Sequence, residues 1–202
     1  MQHKLSWPNK ELIKSIIENV LPIILITILT ACVTYSTNKE NFVRPWGDLI
    51  QLNKTTEKQV IAVMGETYVL GDMSFEDGRK CKMLVYTHTG EKYNPQTGDE
   101  QKTAVFEFMD GVLVGHWFVS NFPEDSTDFD LTKVENIVEN ESTRQDVENL
   151  LGKPSGEEIY PLLQNPELRN IIYSSLSPTI PTVVIKIDKT DVVRHVEILK
   201  KK

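Results

Sequence analysis

The chain of 202 residues has only two cysteines, Cys32 and Cys81, which excludes the disulfide-stapled scaffold of small secreted domains. Basic residues are outnumbered, with 22 Lys and Arg against 29 Asp and Glu and a formal net charge of -7. An acidic surface repels phosphate backbones and gains nothing from anionic lipid headgroups, so no nucleic-acid partner is expected. There is no Gly-rich phosphate loop, no nucleophile elbow, no close cysteine pair, and no histidine pair at helical metal-site spacing. The acidic group Glu124, Asp125, Asp128 and Asp130 lacks the glycine and closing glutamate of a calcium loop, and it reads as a solvated linker. No catalytic, cofactor or metal motif is left, so the expectation is a protein that is not an enzyme, although catalytic groups do assemble in space. The apolar run Val20 to Leu29 is shorter than the roughly 20 residues that a spanning helix needs.

That run has the form of a secretory signal. A weakly basic start with Lys4, Lys10 and Lys14 precedes it, and small residues follow. It ends in Leu29-Thr30-Ala31-Cys32, which resembles the bacterial lipobox. The resemblance implies diacylglycerol on the Cys32 thiol, cleavage before Cys32 and further acylation of the new amine. Two or more chains at about 0.8 kcal/mol per buried methylene anchor a protein firmly to a membrane. Val33 follows the cysteine instead of the aspartate associated with inner-membrane retention, which implies the periplasmic face of the outer membrane, with the inner membrane as the alternative. An uncleaved signal anchor with a chance cysteine is the competing reading; Pro22 and the long N-terminal region favour it, and the polar stretch Thr34 to Asn38 opposes it. With Cys32 acylated, Cys81 is unpaired and reads as a buried, inert residue, a reactive thiol being the alternative.

Two segments of the body are alike. Each has a hydroxyl pair, Thr55-Thr56 or Ser142-Thr143, where a helix can be capped. Gln59 or Asp146 completes a capping box three residues on. Apolar residues follow at helical spacing, Val60, Ile61 and Met64 in one copy and Val147, Leu150 and Leu151 in the other, and Gly65 or Gly152 closes the helix. Tyr86 lies as far past Gly65 as Tyr173 lies past Gly152. Short strands are predicted at Leu84 to Tyr86 and Ile171 to Tyr173, and a hairpin follows in each copy. The expected fold is α+β, with two tandem units of helix, helix and three-stranded antiparallel meander. The domain plan is a signal peptide at 1–31, a tether at 32–44, a first unit at 45–122, a linker at 123–130 and a second unit at 131–202. Packing the units together would help two cores that are each small.

The residues Thr55 to Gly65, Leu84 to Tyr86, Val105 to Val112 and Ser142 to Pro154 resemble the SmpA/OmlA (BamE-like) lipoprotein family. Its best-known members assist assembly of outer-membrane barrels. The tandem also resembles the β-lactamase inhibitor protein, which binds its target on a concave surface. The chain departs from the first pattern in having two units, and in having Glu66-Thr67 after Gly65 where Lys-Pro is expected. The resemblance implies a non-catalytic lipoprotein that binds an envelope protein as a scaffold or assembly factor. Inhibition of a periplasmic or secreted enzyme is the alternative, and an envelope hydrolase or ligand-binding lipoprotein is a third. Trp117 and Phe118 are the candidate interface residues, since alternation sends them to opposite faces of one strand and at least one must leave its own unit's core. His116 and His195, on corresponding last strands, read as repeat-related residues and not as metal ligands.

Overall fold

The computed structural model describes residues 42–44, 50–90 and 100–200, so Cys32, where lipidation is expected, lies outside the described residues. Helix α1 (Glu57–Met64) precedes strands β1 (Val69–Ser74), β2 (Lys80–Thr89), β3 (Gln101–Met109) and β4 (Val112–Ser120). A 3-10 helix (Leu131–Asn136) and α2 (Arg144–Leu151) then precede β5 (Gly156–Glu158), β6 (Leu168–Tyr173), β7 (Thr182–Asp188) and β8 (Val193–Leu199). All eight strands form one antiparallel sheet in chain order. No helix among the described residues is long and apolar enough to cross a membrane.

This corrects the expectation of two helix-helix-three-stranded meander units of BamE-like or BLIP-like form. Each half has four strands, and the halves are fused edge to edge by β4 and β5. The two unpredicted strands, β1 and β5, have little strand character of their own. β1 reads Val-Leu-Gly-Asp-Met-Ser, and β5 is only Gly-Glu-Glu. Glycine and acidic residues are poor strand formers, so pairing with neighbours makes these strands and intrinsic preference does not.

The capped helices form where their sequences place them. The Thr56 amide donates to Gln59 Oε1 at 2.8 Å, and the Thr143 amide to Asp146 Oδ2 at 2.8 Å. Both helices end at a glycine with positive φ, +91° at Gly65 and +81° at Gly152, a region that costs a residue with a Cβ dearly. The start of each helix is tied to the hairpin beneath it by matching backbone bonds. Leu113 N–H donates to Thr55 C=O at 2.9 Å, and Val193 N–H donates to Ser142 C=O at 2.9 Å. The repeated Gly–Tyr spacing has a physical meaning: the Tyr86 hydroxyl donates to Gly65 C=O at 3.0 Å and the Tyr173 hydroxyl to Gly152 C=O at 2.8 Å. Each tyrosine thereby satisfies a carbonyl at the helix end that the helix itself leaves open.

The helices cover one face of the sheet. Val60 and Met64 pack with Leu84, Tyr86, Phe106, Leu113 and Phe118. Val147 and Leu151 pack with Ile171, Tyr173, Val183, Ile185 and Val193. On the far face, Cys81, Met83, Val85, Val105 and Val114 form a third cluster with Ile159 and Leu162, which come from the segment after β5. The second half therefore contributes cover to the first. Each large apolar side chain buried in these clusters is worth roughly 1.5–3 kcal/mol.

The stretch 123–130 is not the freely solvated linker that its acidity suggests. Asp125 accepts from the buried Lys102 ammonium at 2.9 Å and from the Ser120 hydroxyl. Asp128 accepts from Ser175 of the second half, and Asp130 caps the 3-10 helix through the Thr132 amide at 3.0 Å. Lys102 is 2% exposed and sits 4.8 Å from the Phe122 ring centroid, so its charge depends on Asp125 and on the ring face.

Two substitutions test these ties by urea denaturation. Tyr173→Phe should cost about 1 kcal/mol, the worth of one hydrogen bond to a carbonyl with no other partner. Asp125→Ala should cost more, on the order of 3 kcal/mol, because it strands a buried cation.

Candidate functional site

The buried charge of the described residues is concentrated where the two halves meet. The meeting is short: Gly115 faces Glu158, His116 faces Glu157 and Trp117 faces Gly156. Two flanking backbone bonds extend it, from Phe118 N–H to Ser155 C=O at 2.7 Å and from Ile159 N–H to Val114 C=O at 2.9 Å. A side chain at Gly156 would bring its Cβ to 2.4 Å from the Trp117 Cβ, so only glycine permits this approach.

On the helix face, His116 is buried opposite Glu157. Glu157 accepts from the Arg144 guanidinium and, at 3.3 Å, from Arg169. Arg144 also donates through Nε to Glu148 at 2.7 Å. Burial opposes the charge on Arg144, but its bonds to Glu157 and Glu148 prevail and raise its pKa. Burial pulls His116 down to about 4 against the attraction of Glu157, and the nearby Arg44 and Arg144 push the same way, so the imidazole is neutral at physiological pH. Arg44 donates to the Pro154 carbonyl and lies 5.2 Å from the Phe118 ring centroid, and burial lowers its pKa to about 10.

On the far face a second group runs straight across the strands, with Glu107, Gly115, Glu158 and Asn170 in one register row. Gly115 makes room for it, since a Cβ there would fall 2.1 Å from Glu107 Oε2. Glu107 is 5% exposed, and its Oε2 has no hydrogen-bond partner among the described residues. Asn170 Nδ2 donates to Glu158 Oε2 at 3.0 Å. Burial, and then the neighbouring Glu158, hold the Glu107 carboxyl protonated well above the usual carboxylate range. Burial raises Glu158 too, against the bond from Asn170. Burial and a neighbouring like charge thus both favour the protonated form on this face. Cys81, buried in the same cluster, is pushed up to about 12, first by burial and then by Glu107. Its thiol stays protonated at physiological pH, which agrees with the inert reading of this cysteine.

The residues singled out by sequence fall as follows. Phe118 is 2% exposed in the helix-face core, where its ring meets Phe42 edge to face at 6.3 Å. Trp117 points to the far face, half-buried at the junction beside the third cluster. The two histidines are not repeat-related, because each last hairpin has a bulge at the same place and the registers fix the correspondence. Phe106 opposes His116 while Ile185 opposes Val196, so the counterpart of His116 is Val196 and that of His195 is Gly115. His195 instead bonds Glu139 at 2.9 Å at the sheet edge. Among the described residues, no group of three or more His, Cys, Asp or Glu side chains is placed to hold a metal ion. Glu107, Glu158 and Lys102 were missed by sequence reasoning. Glu107 had a signal: a carboxylate flanked by Val105-Phe106 and Phe108-Met109, in the apolar half of its strand.

No protein-family model matches the chain, and no curated protein or solved structure is significantly similar to it. The likeness to the SmpA/OmlA lipoproteins therefore rests on the residues quoted for it.

The two faces of the junction give opposite pH dependences. His116 has a folded pKa below the ordinary 6.5, so its contribution to stability is present above 6.5 and is lost as pH falls toward about 4. Glu107 has a folded pKa above the ordinary 4.5, so its contribution is present below 4.5 and is lost as pH rises through the raised value. Glu107→Gln should raise the urea midpoint at neutral pH and flatten the alkaline side of the stability profile. His116→Gln should flatten the acid side between 6.5 and 4.

Proposed function

We propose that the chain is a non-catalytic lipoprotein of the bacterial envelope, anchored through Cys32 and binding another envelope protein as a scaffold or assembly factor. The observation that carries the binding role is the first edge of the sheet, which has no neighbouring strand among the described residues. Val69 and Leu70 of β1 are 39% and 59% exposed, at the end of a sheet whose interior strands are all paired on both sides. Exposed apolar residues on an unguarded strand are a liability that proteins otherwise suppress, and they fit a contact surface. The ionisable groups at the junction support the same reading, because burial keeps His116, Glu107 and Cys81 in their neutral forms while Arg144, Glu148 and Glu157 are tied into ion pairs within the second half. The anchor rests on the short apolar run ending at Leu29-Thr30-Ala31-Cys32.

The test is made in cells. A tagged fatty acid should label the wild-type chain and leave Cys32→Ala unlabelled. A photo-crosslinking residue at position 70 should trap one protein partner, whereas one at Lys189, on the opposite side of the sheet order, should trap none. An unlabelled wild-type chain would refute the anchor, and equal trapping at both positions would refute the binding surface.

A further inference from the structure

The internal repeat shows what kind of strand β1 is built to receive. Leu70 pairs with Leu84 and Gly71 with Met83, as Glu157 pairs with Ile171 and Glu158 with Asn170. β1 and β5 are therefore the same strand of the two halves, in the same register. In the second half that strand has an antiparallel neighbour, β4. In the first half the equivalent outer edge has no neighbour among the described residues.

The opposite edge is closed by a specific device. Val196 of β8 corresponds to His116 of β4, whose edge takes β5. At Val196 the outward amide donates instead to Glu139 Oε1 at 2.9 Å, and His195 Nδ1 bonds the same oxygen. The residue at the equivalent place in the first half is Leu52, which has no side-chain acceptor. Glu139 thus acts as a terminal cap, of the kind repeat proteins use to stop further units stacking. A second copy docking its β1 on β8 in the junction register would have to displace it. The β1 edge has no such cap among the described residues.

We infer that the outer edge of β1 takes an extended antiparallel strand from another protein, with an apolar side chain opposite Leu70 and a non-acidic one opposite Asp72. This deepens the binding role proposed above and rests on it. Six residues of edge supply main-chain bonds for one strand, which is how β-augmentation works. They supply far less than the roughly 1,200 Å² that a stable pair of folded proteins buries, so a peptide segment fits better than a second copy of this chain. The junction sets the pattern: Leu70 and Asp72 lie on the helix face with Leu84 and Lys82, while Val69, Gly71 and Met73 lie on the far face. Asp72 is the one charge on the strand, so a carboxylate opposite it is disfavoured.

The probe is a peptide copying β4, Val112–Ser120, with His116→Leu to match Leu70 and terminal lysines for solubility. It is added to the purified mature chain, and amide hydrogen exchange and the peptide's tryptophan fluorescence are followed. Saturable binding should protect amides of Val69–Ser74 and leave β8 unchanged. N-methylation of alternate peptide residues should weaken binding at least tenfold in one phase and have little effect in the other, because only alternate amides face the edge. Binding that ignores the phase of methylation, protection elsewhere, or no binding overturns the inference. So does β1 protection in the free chain, which would mean a segment of this chain or a second copy already holds the edge; sedimentation separates those two. Loss of fatty-acid labelling with intact peptide binding would fault the anchor alone.

Discussion

Everything in this fold depends on three residue pairs between β4 and β5. Without them there are two separate halves, each with one short α-helix and a small core. With them the sheet is continuous, and the segment after β5 can lay Ile159 and Leu162 over the far face of the first half. Besides its backbone bonds, the junction sets His116 opposite Glu157 on one face and puts Glu107 and Glu158 in one register row on the other.

What it brings together is charge that would be costly elsewhere. A buried carboxylate or guanidinium loses several kcal/mol of hydration, and partners must offset that loss. On the helix face the offset is an Arg144–Glu157–Arg169 network, with Glu148 completing Arg144. On the far face the offset is protonation, since burial and the neighbouring Glu158 raise the Glu107 pKa and burial raises that of Glu158. Removing Glu157 would leave the half-buried Arg144 with only Glu148, whereas Glu107 has an Oε2 without a hydrogen-bond partner among the described residues. The linker is held on one side by Lys102 buried against Asp125 and Phe122, and reaches the second half through Asp128, which accepts from Ser175.

The repeat also explains the difference between the two ends of the sheet. A fold made by adding a helix and four strands to an existing edge can in principle continue. At β8 the carboxylate of Glu139 occupies the amide that a following unit would need, whereas at β1 two apolar side chains stand exposed. Two similar halves with different ends therefore give a sheet whose last edge has one amide taken by Glu139 and whose first edge exposes Val69 and Leu70.

The local structure was legible from sequence because it is decided locally. Thr56 with Gln59, Thr143 with Asp146, the closing glycines and the spacing to Tyr86 and Tyr173 all act within one helix and the strand it meets, so the pattern of residue types contains the answer. The resemblance of the halves was visible for the same reason. Tertiary structure alone decided that each half has four strands, because Gly156-Glu157-Glu158 is a strand only while β4 and β6 pair with it from either side. It also decided that Phe118 is core, that His116 and His195 are unrelated, and that Glu107 meets Glu158. Those outcomes depend on a bulge that shifts register by one residue and on an edge-to-edge contact between distant segments, and neither is written in the periodicity of any single stretch of chain.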